Sequence, residues 1–190
     1  NEVEPKDGLD IVSTIDVHIQ DVATSSLLAE LLKHRAFQGC AVVMEVNTGH
    51  IIAIANLRYD SSDLKYKETY NYAIGESIEP GSTFKLASIL AALEDEKVKL
   101  TDSLVTGEGY TRYYNREMKD VHKIGNGRVT VRDAFEHSSN VGISRIIYNS
   151  YKENPSDYID RLYSFSINEP LGFRIKGEGK PLIKHPSNKK

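Results

Sequence analysis

The 190-residue chain has little of several things that would narrow its class at once. It carries one cysteine, Cys40, so no internal disulfide can form, and the lone thiol reads as an inert buried group at the start of an apolar strand. No apolar run approaches the ~18 residues a membrane span requires. Basic residues do not dominate: 24 Lys and Arg against 27 Asp and Glu give −3, a poor balance for tracking nucleic-acid phosphates, so no nucleic-acid partner is expected. Glycine (13) and proline (6) are too few for a collagen or a low-complexity chain. There is no internal repeat. His18, His34, His50, His122, His137 and His185 are scattered without metal-ligand spacing and read as surface or partly buried histidines, so no metal is expected. The first residue is Asn1, with no signal-peptide pattern after it, which reads as a processed or cut N-terminus.

What remains is a globular pattern. Leu9 to Thr14 alternates well enough to predict a short strand. Asp16 is a helix-capping type, and Ala23, Leu27, Leu28, Leu31 and Leu32 follow at helical spacing, predicting a helix over about 17–35. Ala41–Val46 and Ile51–Ala55 flank Asn47-Thr48-Gly49, a hairpin signal; both runs are apolar on both faces and predict the centre of a covered sheet. Residues 56–72 read as an extended surface connection. A helix beginning at Ser82 is apolar almost all round and reads as the buried central helix. Residues 101–128 show little periodicity and read as a long loop, of a length that tends to be functional. Thr130 should cap a short helix; further helices are expected from Val141 to Tyr151 and from Pro155 onward. Antiparallel strands with segregated helices make the fold class α+β.

Two short patterns carry chemistry. In Ser82-Thr83-Phe84-Lys85, Ser and Lys at i and i+3 share one helix face. A Lys amine made neutral by burial, or by the positive end of a helix, could accept the serine proton. The pattern alone is cheap: Ser62/Lys65 and Ser187/Lys190 repeat it in polar sequence. Only Ser82 follows a Pro-Gly turn and heads an apolar helix; the bland alternative is an N-cap followed by a solvated lysine. Ser138-Ser139-Asn140 places a hydroxyl and a carboxamide on a connection between two helices, where they could relay a proton and hold an amide, or simply cap a helix. Ser166-Ile167-Asn168 repeats this spacing too.

Taken together these motifs carry a resemblance. Glu79-Pro80-Gly81-Ser82-Thr83-Phe84-Lys85 resembles the nucleophile motif of class B penicillin-binding protein transpeptidases, the cell-division or elongation type. Ser13-Thr14-Ile15-Asp16 with Gln20, Ala41-Val42-Val43-Met44 with Thr48-Gly49 and Ile52–Ala55, Asn71-Tyr72-Ala73, and Thr130–Phe135 leading into Ser138-Ser139-Asn140-Val141-Gly142 resemble further stretches of that family in the same order. The likeness covers roughly residues 9–175, preceded by a polar leader over 1–8 and followed by a Lys/Gly/Pro-rich tail over 176–190.

The resemblance implies a peptidoglycan D,D-transpeptidase of penicillin-binding-protein and serine β-lactamase-like fold, working without cofactor. Ser82 would be the acyl-enzyme nucleophile, Lys85 its base, Ser138 and Asn140 the relay and the substrate amide contact, with Ser139 beside Asn140 in substrate binding. Stem peptides and β-lactams would be its ligands, divisome or elongasome proteins its partners, and the bacterial extracytoplasmic space its place, the parent being membrane-anchored although this segment makes no membrane contact. One departure stands out. The family's third motif, Lys-[Thr/Ser]-Gly, occurs nowhere in the 190 residues. The expectation is a fragment with late sheet strands missing, inactive alone, that self-associates through an open sheet edge or folds residues 176–190 back over it. A β-lactamase or β-lactam sensor, and a non-catalytic module of the same fold, are the rival readings; the first must also place a deacylating base that the sequence does not visibly offer.

Overall fold

A computed structural model describes residues 8–187. The chain forms two compact units. The first takes the described residues through Glu76 together with Phe173–Gly179, and the second takes Ser77–Gly172 together with the described residues from Lys180. Most of the expected leader, residues 1–7, lies outside the described residues.

The first unit is a helix on a sheet. Helix α1 (Val17–His34) starts where Asp16 accepts hydrogen bonds from the backbone N–H groups of His18 and Ile19, as its capping type predicts. Strands β1 (Gln38–Met44), β2 (Ile51–Asp60) and β3 (Lys65–Lys67) form one antiparallel sheet in that order, followed by the single turn α2 (Tyr72–Gly75). The expected hairpin is present, with Val42 opposite Ile54. It is not covered on both strands: β2 buries Ala53, Ala55, Asn56 and Leu57, whereas β1 is an edge strand with Val42, Val43 and Met44 exposed. Nor are residues 56–72 a plain connection, because β2 runs on to Asp60 and pairs with β3.

No strand forms over 9–14, where Leu9, Ile11 and Val12 are more than nine-tenths exposed. The segment instead serves β2 through single contacts. Thr14 Oγ1 donates to Ile51 O (2.6 Å) and Asp16 N to Ile52 O (2.9 Å). The Gln20 amide then accepts from Ile54 N (2.8 Å) and donates to Ile54 O (3.1 Å), standing in for a neighbouring strand.

The second unit is mainly helical. Its core joins Ile89 and Ala92 of α3 (Phe84–Glu94), Val131 of α4 (Val131–Glu136), and Ile143 and Ile146 of α5 (Asn140–Tyr151). Helix α6 (Pro155–Ser164) closes it, burying Leu162. Helix α3 is buried along one face only; Leu86 and Leu90 are 52% and 41% exposed, so the expectation of a helix buried all round is corrected. The stretch read as a long loop folds into four short strands. Strand β4 (Ser103–Val105) pairs with β7 (Arg128–Thr130), and β5 (Tyr110–Tyr113) with β6 (Arg116–Lys119). Thr130 caps α4 as predicted, in a reciprocal box with Asp133. Beyond α6 no further strand forms among the described residues: Tyr163 OH holds Ile183 O (2.9 Å) and His185 meets Asp160 (3.2 Å). Among the described residues no strand pairs with β1 on the side away from β2.

Candidate active site

Ser82 sits on a turn of 3-10 helix, Gly81–Thr83, immediately before α3. Gly81 has φ +59°, a left-handed conformation that glycine adopts freely, and it is what brings the chain sharply from Pro80 into the helix. Thr83 Oγ1 donates to Pro80 O (2.5 Å) and tightens the turn. Ser82 is exposed and lines a cleft of about 370 Å³, together with Asp120, His122, His137, Ser138 and Asn140. Lys85 is the second residue of α3 and half-buried.

The Lys85 ammonium does not bond Ser82. It donates to Ser138 O (2.5 Å) and to Ser138 Oγ (3.0 Å). Burial lowers the Lys85 pKa from its ordinary value, and the negative charge of Asp120 works in the opposite direction. The first turn of a helix also disfavours a cation. The two motifs singled out in the sequence, 53 residues apart, thus meet through one lysine.

The position of Ser138 follows from how α4 ends. Ser138 N donates to Phe135 O (2.9 Å) and Ser139 N to Ala134 O (2.8 Å), a Schellman-type close. Such a close needs a left-handed residue, usually glycine, and Ser138 fills that place with φ +53°. A serine there costs about 1 kcal/mol of backbone strain. In return its carbonyl and hydroxyl both reach Lys85.

Asn140 opens α5, and its Nδ2 donates to Lys119 O (2.7 Å). Ser139 does not line the cleft. It is 1% exposed, caps α5 by accepting from Gly142 N (2.7 Å), and gives its proton to the Asp120 carboxylate (2.9 Å). Read in the sequence as a substrate-binding residue beside Asn140, Ser139 has its hydroxyl enclosed and bonded within the protein. Gly142 permits this closeness, since a Cβ there would lie 2.7 Å from Ala134 Cβ and 2.9 Å from Ser139 Oγ. Asp120 and Lys119 were absent from the sequence reading. Their partners lie about 20 residues downstream, and no spacing pattern announces such a contact.

The chain matches the model of the penicillin binding protein transpeptidase domain over residues 39–184. It belongs to that family. It is 27% identical over 185 residues to stage V sporulation protein D of Bacillus subtilis, covering 94% of this chain and 28% of that protein. It is 29% identical over 184 residues to the probable peptidoglycan D,D-transpeptidase PenA of Neisseria flavescens, covering 95% and 44%. Among solved structures, the transpeptidase domain of penicillin-binding protein 3 from Burkholderia pseudomallei superposes with a TM-score of 0.77 at 22% identity, covering 94% of this chain and 49% of that one. The fold is therefore the α+β fold of penicillin-binding transpeptidase domains. The chain spans less than half the length of the curated relatives named above.

Proposed function

We propose that this chain is the nucleophile-bearing part of a peptidoglycan D,D-transpeptidase that works through an acyl-serine. The observation that carries the reading is the Lys85 bridge to Ser138, a residue that lines one cleft with Ser82. Ser82 Oγ attacks the carbonyl carbon of the penultimate D-Ala of a stem peptide. Its proton passes to the neutral Lys85 amine, directly or through the Ser138 hydroxyl. The peptide C–N bond breaks, and the same proton leaves on the amine of the terminal D-Ala. An amine of a neighbouring stem then attacks the acyl-serine, forms the cross-link and returns a proton to Ser82 Oγ. Asn140, at the cleft wall, contacts the substrate amide. A β-lactam ring opens by the first half of this route and stays on Ser82. In this reading the parent acts outside the cytoplasm, is membrane-anchored, and works with divisome or elongasome partners. Among the described residues no helix is long and apolar enough to cross a membrane.

The 190 residues hold no Lys-[Thr/Ser]-Gly triplet. In the family this motif supplies a substrate-carboxylate contact and an oxyanion donor, and loss of one such donor alone costs roughly 10²–10³ in rate. Fluorescent penicillin tests both parts of the reading. The expected result is slow or no labelling of the 190-residue chain, and stoichiometric labelling, mapped to Ser82 and lost in Ser82→Ala, once the triplet is supplied by a longer protein. Rapid stoichiometric labelling of the 190-residue chain would refute its inactivity. Labelling at any residue other than Ser82 would refute the assignment of the nucleophile.

A further inference from the structure

Asp120 follows the last residue of β6 and belongs to neither motif. Its Oδ1 accepts from Val141 N (2.9 Å) and from Ser139 Oγ (3.1 Å), and its Oδ2 from Ser139 Oγ (2.9 Å). Its own N–H is anchored on Gly109 O (2.8 Å). The carbonyl one residue earlier, Lys119 O, takes the Asn140 carboxamide (2.7 Å). A single dipeptide therefore grips three consecutive residues: Ser139, Asn140 and Val141. The carboxylate also stands at the N-terminal end of the 12-residue α5, where exposed N–H groups favour an anion. Immediately before the gripped residues is Ser138, held left-handed with its carbonyl and hydroxyl on Lys85.

We propose that Asp120 is a positioning residue of the site: through Ser139 and Val141 it fixes the 138–140 turn, which presents Ser138 to Lys85 and Asn140 to the cleft. What the turn serves rests on the transpeptidase reading above; that Asp120 holds it does not. A second role is electrostatic. Asp120 is the acidic side chain among the described residues lining this cleft. Of the other titratable groups there, Lys123 is paired with Glu108 (2.7 Å), His137 Nδ1 lies 3.0 Å from Asp133 O, and His122 is on the cleft wall. The negative charge facing Lys85 is thus that of Asp120, and it opposes the effect of burial on the lysine. The residue holds the turn that meets the proposed base, and its charge works against the effect of burial there.

The two roles separate in two variants. Asn at 120 keeps an acceptor oxygen for Val141 and Ser139 but removes the charge; Ala removes both. The measurement is NMR of the 190-residue chain with labelled lysine, Lys85 being assigned through Lys85→Arg, together with amide exchange at Val141 and Gly142. In Asp120→Asn the Lys85 titration midpoint moves down relative to wild type while both amides exchange as in wild type. In Asp120→Ala both amides exchange faster, by about tenfold or more, the loss of one charge-assisted hydrogen bond. An unmoved Lys85 midpoint in Asp120→Asn overturns the electrostatic role. Wild-type exchange at Val141 and Gly142 in folded Asp120→Ala overturns the positioning role. If Asp120→Ala does not fold, positioning is read from Asp120→Ser, whose single shorter hydroxyl replaces the two carboxylate oxygens: faster exchange at 141–142 supports it and wild-type exchange overturns it. No β-lactam or stem peptide is present, so failure of the acylation reading leaves these outcomes untouched.

Discussion

Ser138 allows backbone strain and side-chain chemistry to be told apart by comparing two variants with each other. Ser138→Ala and Ser138→Gly both remove the hydroxyl that lies 3.0 Å from Lys85 Nζ, and both keep the carbonyl that lies 2.5 Å from it. They differ only in how each residue tolerates φ +53°. At an ordinary helical or extended position glycine is the worse choice by roughly 0.5–1 kcal/mol, because it loses more freedom on folding. At a left-handed position a Cβ costs about 1–2 kcal/mol, which outweighs that loss. The sign therefore reverses, and Ser138→Gly should be more stable than Ser138→Ala by about 1 kcal/mol. The residue is exposed, so little packing changes in either variant. For a chain of this size the difference corresponds to roughly 2–4 °C in Tm. Paired thermal and urea melts measure it. Ser138→Gly melting below Ser138→Ala by the ordinary glycine penalty would refute the left-handed assignment, and with it the reason that Ser138 meets Lys85.

Two further predictions concern the body that carries the site. Asp95, just past α3, accepts from Tyr151 OH (2.7 Å) and Arg161 Nε (2.6 Å), tying α3 to α5 and α6. A double-mutant cycle between Asp95→Ala and Arg161→Ala should give a favourable coupling at neutral pH, and a coupling of zero would refute the tie. Burial pushes the Asp95 carboxyl up, but Tyr151 and Arg161 outweigh it and hold the pKa below the usual range. A depressed folded-state pKa gives stability that is full above the unfolded value of about 4 and is lost as pH falls through the folded one, so the coupling should fade only in acid. The free edge of β1, with Val42, Val43 and Met44 exposed, should recruit a second copy. Sedimentation should show concentration-dependent association that Val43→Lys weakens, whereas a monodisperse monomer at all concentrations contradicts it.

Local signals made the helices and the hairpin legible. Asp16 and Thr130 announced their helices because a capping side chain acts within three residues of its own position. The hairpin showed because two long apolar runs flank a turn whose Gly49 is left-handed. The stretch 101–128 hid its strands for the opposite reasons. Each is three or four residues long, too short to display a period of two, and the β5–β6 turn places Tyr114, not glycine, at φ +53°. The false strand at 9–14 alternates as a strand should, yet β2 takes its bonds there from Thr14, Asp16 and Gln20. The apolar runs alone placed β1 at the centre of a covered sheet, and the open edge was expected only from the family resemblance with its missing third motif.

The site residues share one property that explains both why motifs found them and why propensity did not. Lys85 is a basic side chain in the first turn of a helix, partly withdrawn from water, and Ser138 is a non-glycine residue at a left-handed helix end. Each is locally unfavourable. A fold keeps such choices only where its surroundings over-determine them. Here the surroundings are the capping box that starts α4, the Schellman-type close that ends it, and the Asp120 carboxylate that pins the next turn. The segment that looked least structured in the sequence supplies the most exacting of the three: β6 carries Asp120 to α5, and the bond that Asn140 Nδ2 donates to Lys119 O keeps the carboxamide at the cleft wall.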